Sequence, residues 1–216
     1  MPLTNDLTKF STASPVVASY SYTDIANGLG YISSYLANEQ DSGGVGYFLT
    51  DNTSISSTSI SIGVGEGASA TEYDFDLSPF QIARTIKGKV IINLYGGLGG
   101  SSGDNNETIQ ITAVLKKYDG STETTLLTMT GNTRTDSGGA AGVGKPWTYC
   151  MTGDAAETQF AAGENVRLTL RVTTNSVSGT GFYQIGADPS NRAQDEPYYD
   201  VNQSNSKILI PFKLDI

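Results

Sequence analysis

The chain has no histidine and a single cysteine. Without histidine there is no Ser-His-Asp or Cys-His arrangement, and the commonest general base and metal ligand are missing. Cys150 is alone, so no intrachain disulfide framework exists. It sits in the apolar stretch Trp147-Thr148-Tyr149-Cys150-Met151 and is expected to be a buried, inert thiol. Positive charge is also scarce: 13 basic residues against 22 acidic ones, for a net charge of −9. That argues against a phosphate-backbone binder, which needs a basic patch. Charged residues make up only 16% of the chain, too few for a disordered acidic tail. No apolar run approaches the roughly 18 residues of a membrane helix. The longest, such as Val90-Ile91-Ile92, are strand-sized. Residues 1–15 show no basic start followed by an apolar run, so no secretory leader is read there.

What the chain has in quantity is apolar/polar alternation, the mark of half-buried strands. Tyr73, Phe75 and Leu77 alternate with Glu72, Asp74 and Asp76. Val166, Leu168, Leu170 and Val172 alternate with Arg167, Thr169 and Arg171. Ile208, Ile210, Phe212, Leu214 and Ile216 share one face of the last segment, which contains Pro211. A proline gives no N–H to a ladder, so an edge position or a bulge is expected there. Lys87 to Tyr95 is apolar on both faces in its middle and reads as a central strand. Thr108–Tyr118 and Thr122–Thr130 read as a hairpin on Asp119-Gly120, with a type I′ turn. Val16 to Tyr22, Val45 to Thr50, Ser54 to Val64, Trp147 to Met151 and Thr180 to Ile185 supply shorter strands.

About nine or ten strands with no long helix predict an all-β, antiparallel β-sandwich, jelly-roll-like in topology. The sandwich is expected over residues 41–216, with an N-terminal arm and irregular segment over 1–40. Ile25, Leu29, Ile32 and Leu36 fall at helical spacing, and Gly28 and Gly30 weaken it, so a short helix or an irregular loop is expected there. Residues 1–14 read either as a frayed terminus or as an arm that orders on a neighbouring subunit. Residues 131–144 form a long glycine-rich loop, and 188–205 a polar excursion.

No motif supplies chemistry. Gly96-Gly97-Leu98-Gly99-Gly100 lacks the Gly-Lys-Ser/Thr ending of a phosphate loop and reads as a flexible connection. Asp104-Asn105-Asn106-Glu107 and the group Asp195, Glu196 and Asp200 carry oxygens suited to calcium, but not at EF-hand spacing. Glu72, Asp74 and Asp76 stand roughly 6–7 Å apart along one face, a workable separation for glycoside hydrolysis. An exposed acidic stripe is more often a solvated face. Neither catalysis nor a cofactor is expected. The residues expected to touch a partner are Leu3, Leu7, Phe10, Val143, Tyr198 and Tyr199.

The stretches Phe160-Ala-Ala-Gly-Glu-Asn-Val-Arg-Leu-Thr-Leu-Arg-Val172 and Gly181-Phe-Tyr-Gln-Ile-Gly-Ala-Asp-Pro189, then Arg192, resemble the C-terminal half of small virion proteins of tailed bacteriophages. The closing Lys207–Ile216 resembles their last strand. The likeness covers about 60 residues and is mostly strand pattern. It implies a β-sandwich on the particle, foremost a capsid decoration protein on the outer head surface. The implied partners are the major capsid protein and copies of itself, with a homotrimer the first expectation. Neither nucleic acid nor membrane is an implied partner. The alternative is a tail or spike component that binds a receptor or carbohydrate.

Overall fold

The computed structural model describes residues 18–19, 28–41, 44–55, 57, 60–64, 67–100, 107–136, 145–176, 181–190 and 205–213. These residues form strands β1 (Ala18–Ser19), β2 (Leu29–Asp41), β3 (Gly44–Thr50), β4 (Ile60–Val64), β5 (Gly67–Leu77), β6 (Arg84–Gly100) and β7 (Glu107–Tyr118). They continue with β8 (Glu123–Thr130), β9 (Arg134–Asp136), β10 (Lys145–Phe160), β11 (Asn165–Ser176), β12 (Gly181–Ile185) and β13 (Lys207–Lys213). The fold is all-β, as the alternations require. The hydrogen-bonded path runs β4-β12-β6-β13-β2-β3-β5-β11-β7-β8. Beside it, β10 pairs with β6, β1 with β2 and β9 with β7. Every pairing is antiparallel except a short parallel contact, Phe48↔Asp76 and Leu49↔Leu77, which joins β3 to β5.

The path folds over on itself into two layers, one carrying β8-β7-β11-β5 and the other β10-β6-β13-β2-β3. Contacts between layers show this. The Tyr149 hydroxyl on β10 donates to the Ile109 carbonyl on β7 at 3.1 Å. A Cβ built on Gly153 of β10 would lie 2.9 Å from Leu127 and 3.1 Å from Met129 of β8. Phe80 and Phe160 meet edge to face with centroids 5.4 Å apart. One continuous core results, with Val90, Ile92 and Leu94 from one layer against Ile109, Ile111, Leu115, Leu168 and Leu170 from the other. The inward faces expected for β11 and for β13 through Phe212 are the buried ones.

Three sequence expectations change, and of the two places expected for Pro211 the bulge is the one found. The segment expected to be a helix or a loop holds β2, whose Ile32, Ser34, Leu36 and Asn38 are buried in turn. A spacing of four is even, so it keeps Ile32 and Leu36 on one face of a strand as well as of a helix. Pro211 lies not on an edge but on β13, between β2 and β6, at a bulge. From Leu209↔Ile91 to Phe212↔Ile86, β13 advances three residues while β6 advances five. The extra β6 residues include Gly88 at φ 115. A Cβ there would stand 3.6 Å from Pro211. The ladder is therefore interrupted beside the residue that has no N–H to give. The hairpin forms, but on four residues rather than two: Tyr118 pairs with Glu123. Asp119 Oδ1 accepts the N–H groups of Ser121 (2.9 Å) and Thr122 (2.7 Å), so an Asx-type loop replaces the two-residue turn. The long loop from Gly131 begins with β9, which pairs with β7 at Glu107–Ile109.

The Gly181–Pro189 stretch that carried the resemblance is structural. It forms β12 and a plug beside it. Gly186 N–H donates to the Tyr95 carbonyl at 2.7 Å, and the buried Ser206 hydroxyl accepts Tyr95 N–H at 3.0 Å. Fully buried Asp188 accepts from Ser190 N–H (3.1 Å), Ser190 Oγ (2.6 Å) and Ser57 N–H (3.5 Å). The Ser57 hydroxyl donates to the Ala187 carbonyl. Asp188→Ala strands the buried Ser57 N–H and the half-buried Ser190 donors and is expected to lower stability by about 1–3 kcal/mol. A chemical denaturation midpoint unchanged from wild type would show that the plug holds nothing together.

Candidate interaction site at the open side of the sandwich

Two of the three carboxylates of the β5 stripe, Asp74 and Asp76, are engaged in structure, while Glu72 stays exposed, 3.9 Å from Arg171. Asp76 takes Arg167 Nε on one oxygen and Nη2 on the other, both at 2.7 Å. Arg167 Nη1 reaches Glu123 at 2.7 Å and Asp74 at 3.8 Å. The Thr169 hydroxyl donates to Asp74 at 2.5 Å. The guanidinium lies 3.7 Å above the Tyr118 ring. Glu123 also holds Lys116 at 2.6 Å. These two cations keep its carboxyl below the usual carboxylate range, Lys116 contributing most. A carboxylate with both oxygens on a guanidinium is held in one orientation by two charge-assisted bonds. Cross-strand register places these groups: Arg167 stands opposite Asp76 on one side and Lys116 on the other.

The side of the sandwich between β8 and β10 is built differently. Each strand has one partner, β7 and β6 respectively, and its other edge pairs with no described strand. Between the layers there lies a cleft of about 420 Å³. Met129, Met151 and Gly153 line it, with Thr128, Thr130 and Cys150. At its end, Arg134 stacks on Tyr149 (5.3 Å to the ring centroid) and donates to the Thr148 carbonyl at 3.0 Å. Burial pushes the Tyr149 phenol up to about 12 against the opposing pull of Arg134, so it stays a neutral donor. Cys150 is exposed on this edge, not buried as expected. Its apolar neighbours Tyr149 and Met151 face the core, and period-two alternation turns Cys150 outward between them.

Leu3, Leu7, Phe10, Val143, Tyr198 and Tyr199 lie outside the described residues, as do Asp104, Asn105, Asn106, Asp195, Glu196 and Asp200. Among the described residues no group of three or more acidic or cysteine side chains is placed to hold a metal ion. The short strand expected over residues 147–151 lies in the first half of the 16-residue β10. The available signal was the row Thr148, Cys150, Thr152, Asp154, small and polar at every second position. Gly153 and the alanines after Asp154 obscured it.

These features define an all-β, jelly-roll-like sandwich with one side left open among the described residues. No protein-family model matches the sequence, and no curated protein matches it. Several solved structures are similar in fold. A CocE/NonD family hydrolase from Staphylococcus aureus is 12% identical with a TM-score of 0.34 over 83% of this chain, which spans 41% of that one. Eiger TNF from S. frugiperda is 13% identical with a TM-score of 0.32, over 85% of this chain and 92% of that one. A structure of infectious bursal disease virus, Gx strain, is 12% identical with a TM-score of 0.25, over 82% and 40%. At these scores the likenesses carry no activity or site over to this chain.

Proposed function

We propose that this protein is a structural component of a virion surface that works by docking rather than by catalysis, most specifically a capsid decoration protein. The observation that carries the reading is the open side of the sandwich: two strand edges that pair with no described strand, and the cleft between them. The bacteriophage-like pattern of residues 160–216 supplies the context, and the largely uncharged polar surface fits a particle exterior. The proposed partners are the major capsid protein and further copies of this chain.

Quantitative mass spectrometry of purified particles tests this. Hundreds of copies, in fixed ratio to the major capsid protein, are expected. A handful per particle would move the protein to the tail, where the receptor- or carbohydrate-binding role applies. Shortening of host surface polysaccharide by the purified protein would overturn the docking reading altogether.

A further inference from the structure

The direction of each backbone group on β10 can be worked out. Thr148 stands opposite Tyr95 of β6. Tyr95 gives its N–H to Ser206 and its carbonyl to Gly186, both on the side of β6 away from β10. Thr148 and Tyr95 are thus a non-hydrogen-bonded pair, and the N–H and C=O of Thr148 point to the open edge. The Arg134 bond to the Thr148 carbonyl confirms that direction. Register is unbroken from Lys145↔Leu98 to Ala155↔Gly88. Alternation therefore aims the N–H and C=O of Cys150, Thr152 and Asp154 outward too. Pro146 falls on the same parity, where its missing N–H leaves no ladder bond unmade.

The edge is guarded at both ends and open in the middle. Pro146 and the Arg134-capped Thr148 close one end, and the bulge between Ala155 and Thr158 closes the other. Between them stand six outward backbone groups, on Cys150, Thr152 and Asp154. Their side chains are exposed, and the row is neutral apart from Asp154.

That run is self-complementary. We propose that two copies of this chain pair antiparallel through their β10 edges, about a twofold axis at Thr152. Thr152 then faces its own mate, and Cys150 faces the mate's Asp154. All six groups on each chain find partners, and no like charges are opposed. A threonine pair at the axis is favourable for cross-strand packing. Because β8 lies beneath β10 at Gly153, the same axis brings the two β8 edges toward each other and covers the cleft on both copies. The contact is isologous and closes at two chains, which limits runaway edge-to-edge growth. It rests on the same open side as the virion reading and names a second copy of the chain as its occupant; sedimentation tests the pairing, and the copy-number measurement tests the virion reading separately.

Sedimentation velocity of the full chain tests the axis. Wild type is expected to be dimeric. Thr152→Lys and Thr152→Glu each place like charges directly opposite one another and should raise the dissociation constant at least about tenfold. An equimolar mixture of the two variants should recover the dimer, a result that only an axis at residue 152 produces. Thr152→Pro removes an outward N–H while leaving the β6 ladder intact, and should give a monomer with wild-type circular dichroism. A monomeric or trimeric wild type would overturn the proposal. So would a dimer indifferent to residue 152, or a mixture that stays monomeric.

Discussion

Gly96→Ala is expected to lower stability by at least about 3 kcal/mol, because the added methyl has nowhere to go. Built at this position, a Cβ runs into the Gln184 carbonyl and the Trp147 ring, whose Cη2 would be 2.6 Å away. Both obstacles are fixed. The carbonyl belongs to β12, which pairs with β6 through Ile185↔Gly96. The indole belongs to β10, where Trp147 pairs with Gly96 from the other side. Trp147 also meets Tyr149 edge to face, with centroids 5.1 Å apart, so it cannot swing aside cheaply. Gly46→Ala is the control: its Cβ would meet only the Glu39 carbonyl, at an ordinary 3.8 Å. Urea unfolding of the two variants makes the comparison. Equal midpoints would mean that the indole does not lie against β6 at Gly96.

Arg167→Ala is expected to cost about 2–4 kcal/mol, which is large for a residue on an outer face. The side chain is only 15% exposed and ties Asp76, Glu123 and Asp74 together. Removing it leaves three carboxylates facing one another and uncovers Tyr118. Partners about one third exposed keep the figure below that of a buried network. Lysine at this position restores the charge but not the paired bonds to Asp76, so rescue should be partial. A pH dependence follows. The folded state holds Glu123 below its ordinary range. Below that range the unfolded chain takes up the proton first, so this stabilisation is complete above the ordinary carboxylate range and is lost as pH falls through the folded value. The gap between wild type and Arg167→Ala should therefore narrow in acid. A gap constant down to about pH 3 would show that Arg167 acts by packing alone.

The glycine run shows why part of the fold escaped sequence reading. Gly96, Gly97, Gly99 and Gly100 lack the side chains that carry periodicity, so the run reads as a loop. In the structure it is the last five residues of β6, paired with β12 along its length and with β10 from Gly96 to Leu98. The glycine at 96 is there because a tryptophan from the next strand occupies the space of its side chain. The reverse error befell Cys150, where apolar neighbours promised burial. Neighbours in a strand face the opposite way, so they reported on the core and not on the thiol.

What the sequence determined by itself is whatever follows from alternation and composition. The all-β class, the inward residues of β5, β11 and β13 and the bulge at Pro211 were written in local order. So was the absence of histidine chemistry, because period-two patterns and missing residue types need no partner to be read. The tertiary structure alone decided which strands lie side by side. That choice sets Arg167 between Asp76 and Lys116, puts Trp147 on Gly96, and leaves the outer edges of β8 and β10 unpaired with any described strand. Pairing between residues far apart in the chain depends on the shape and hydrogen bonding of both partners at once, and neither segment carries that information alone.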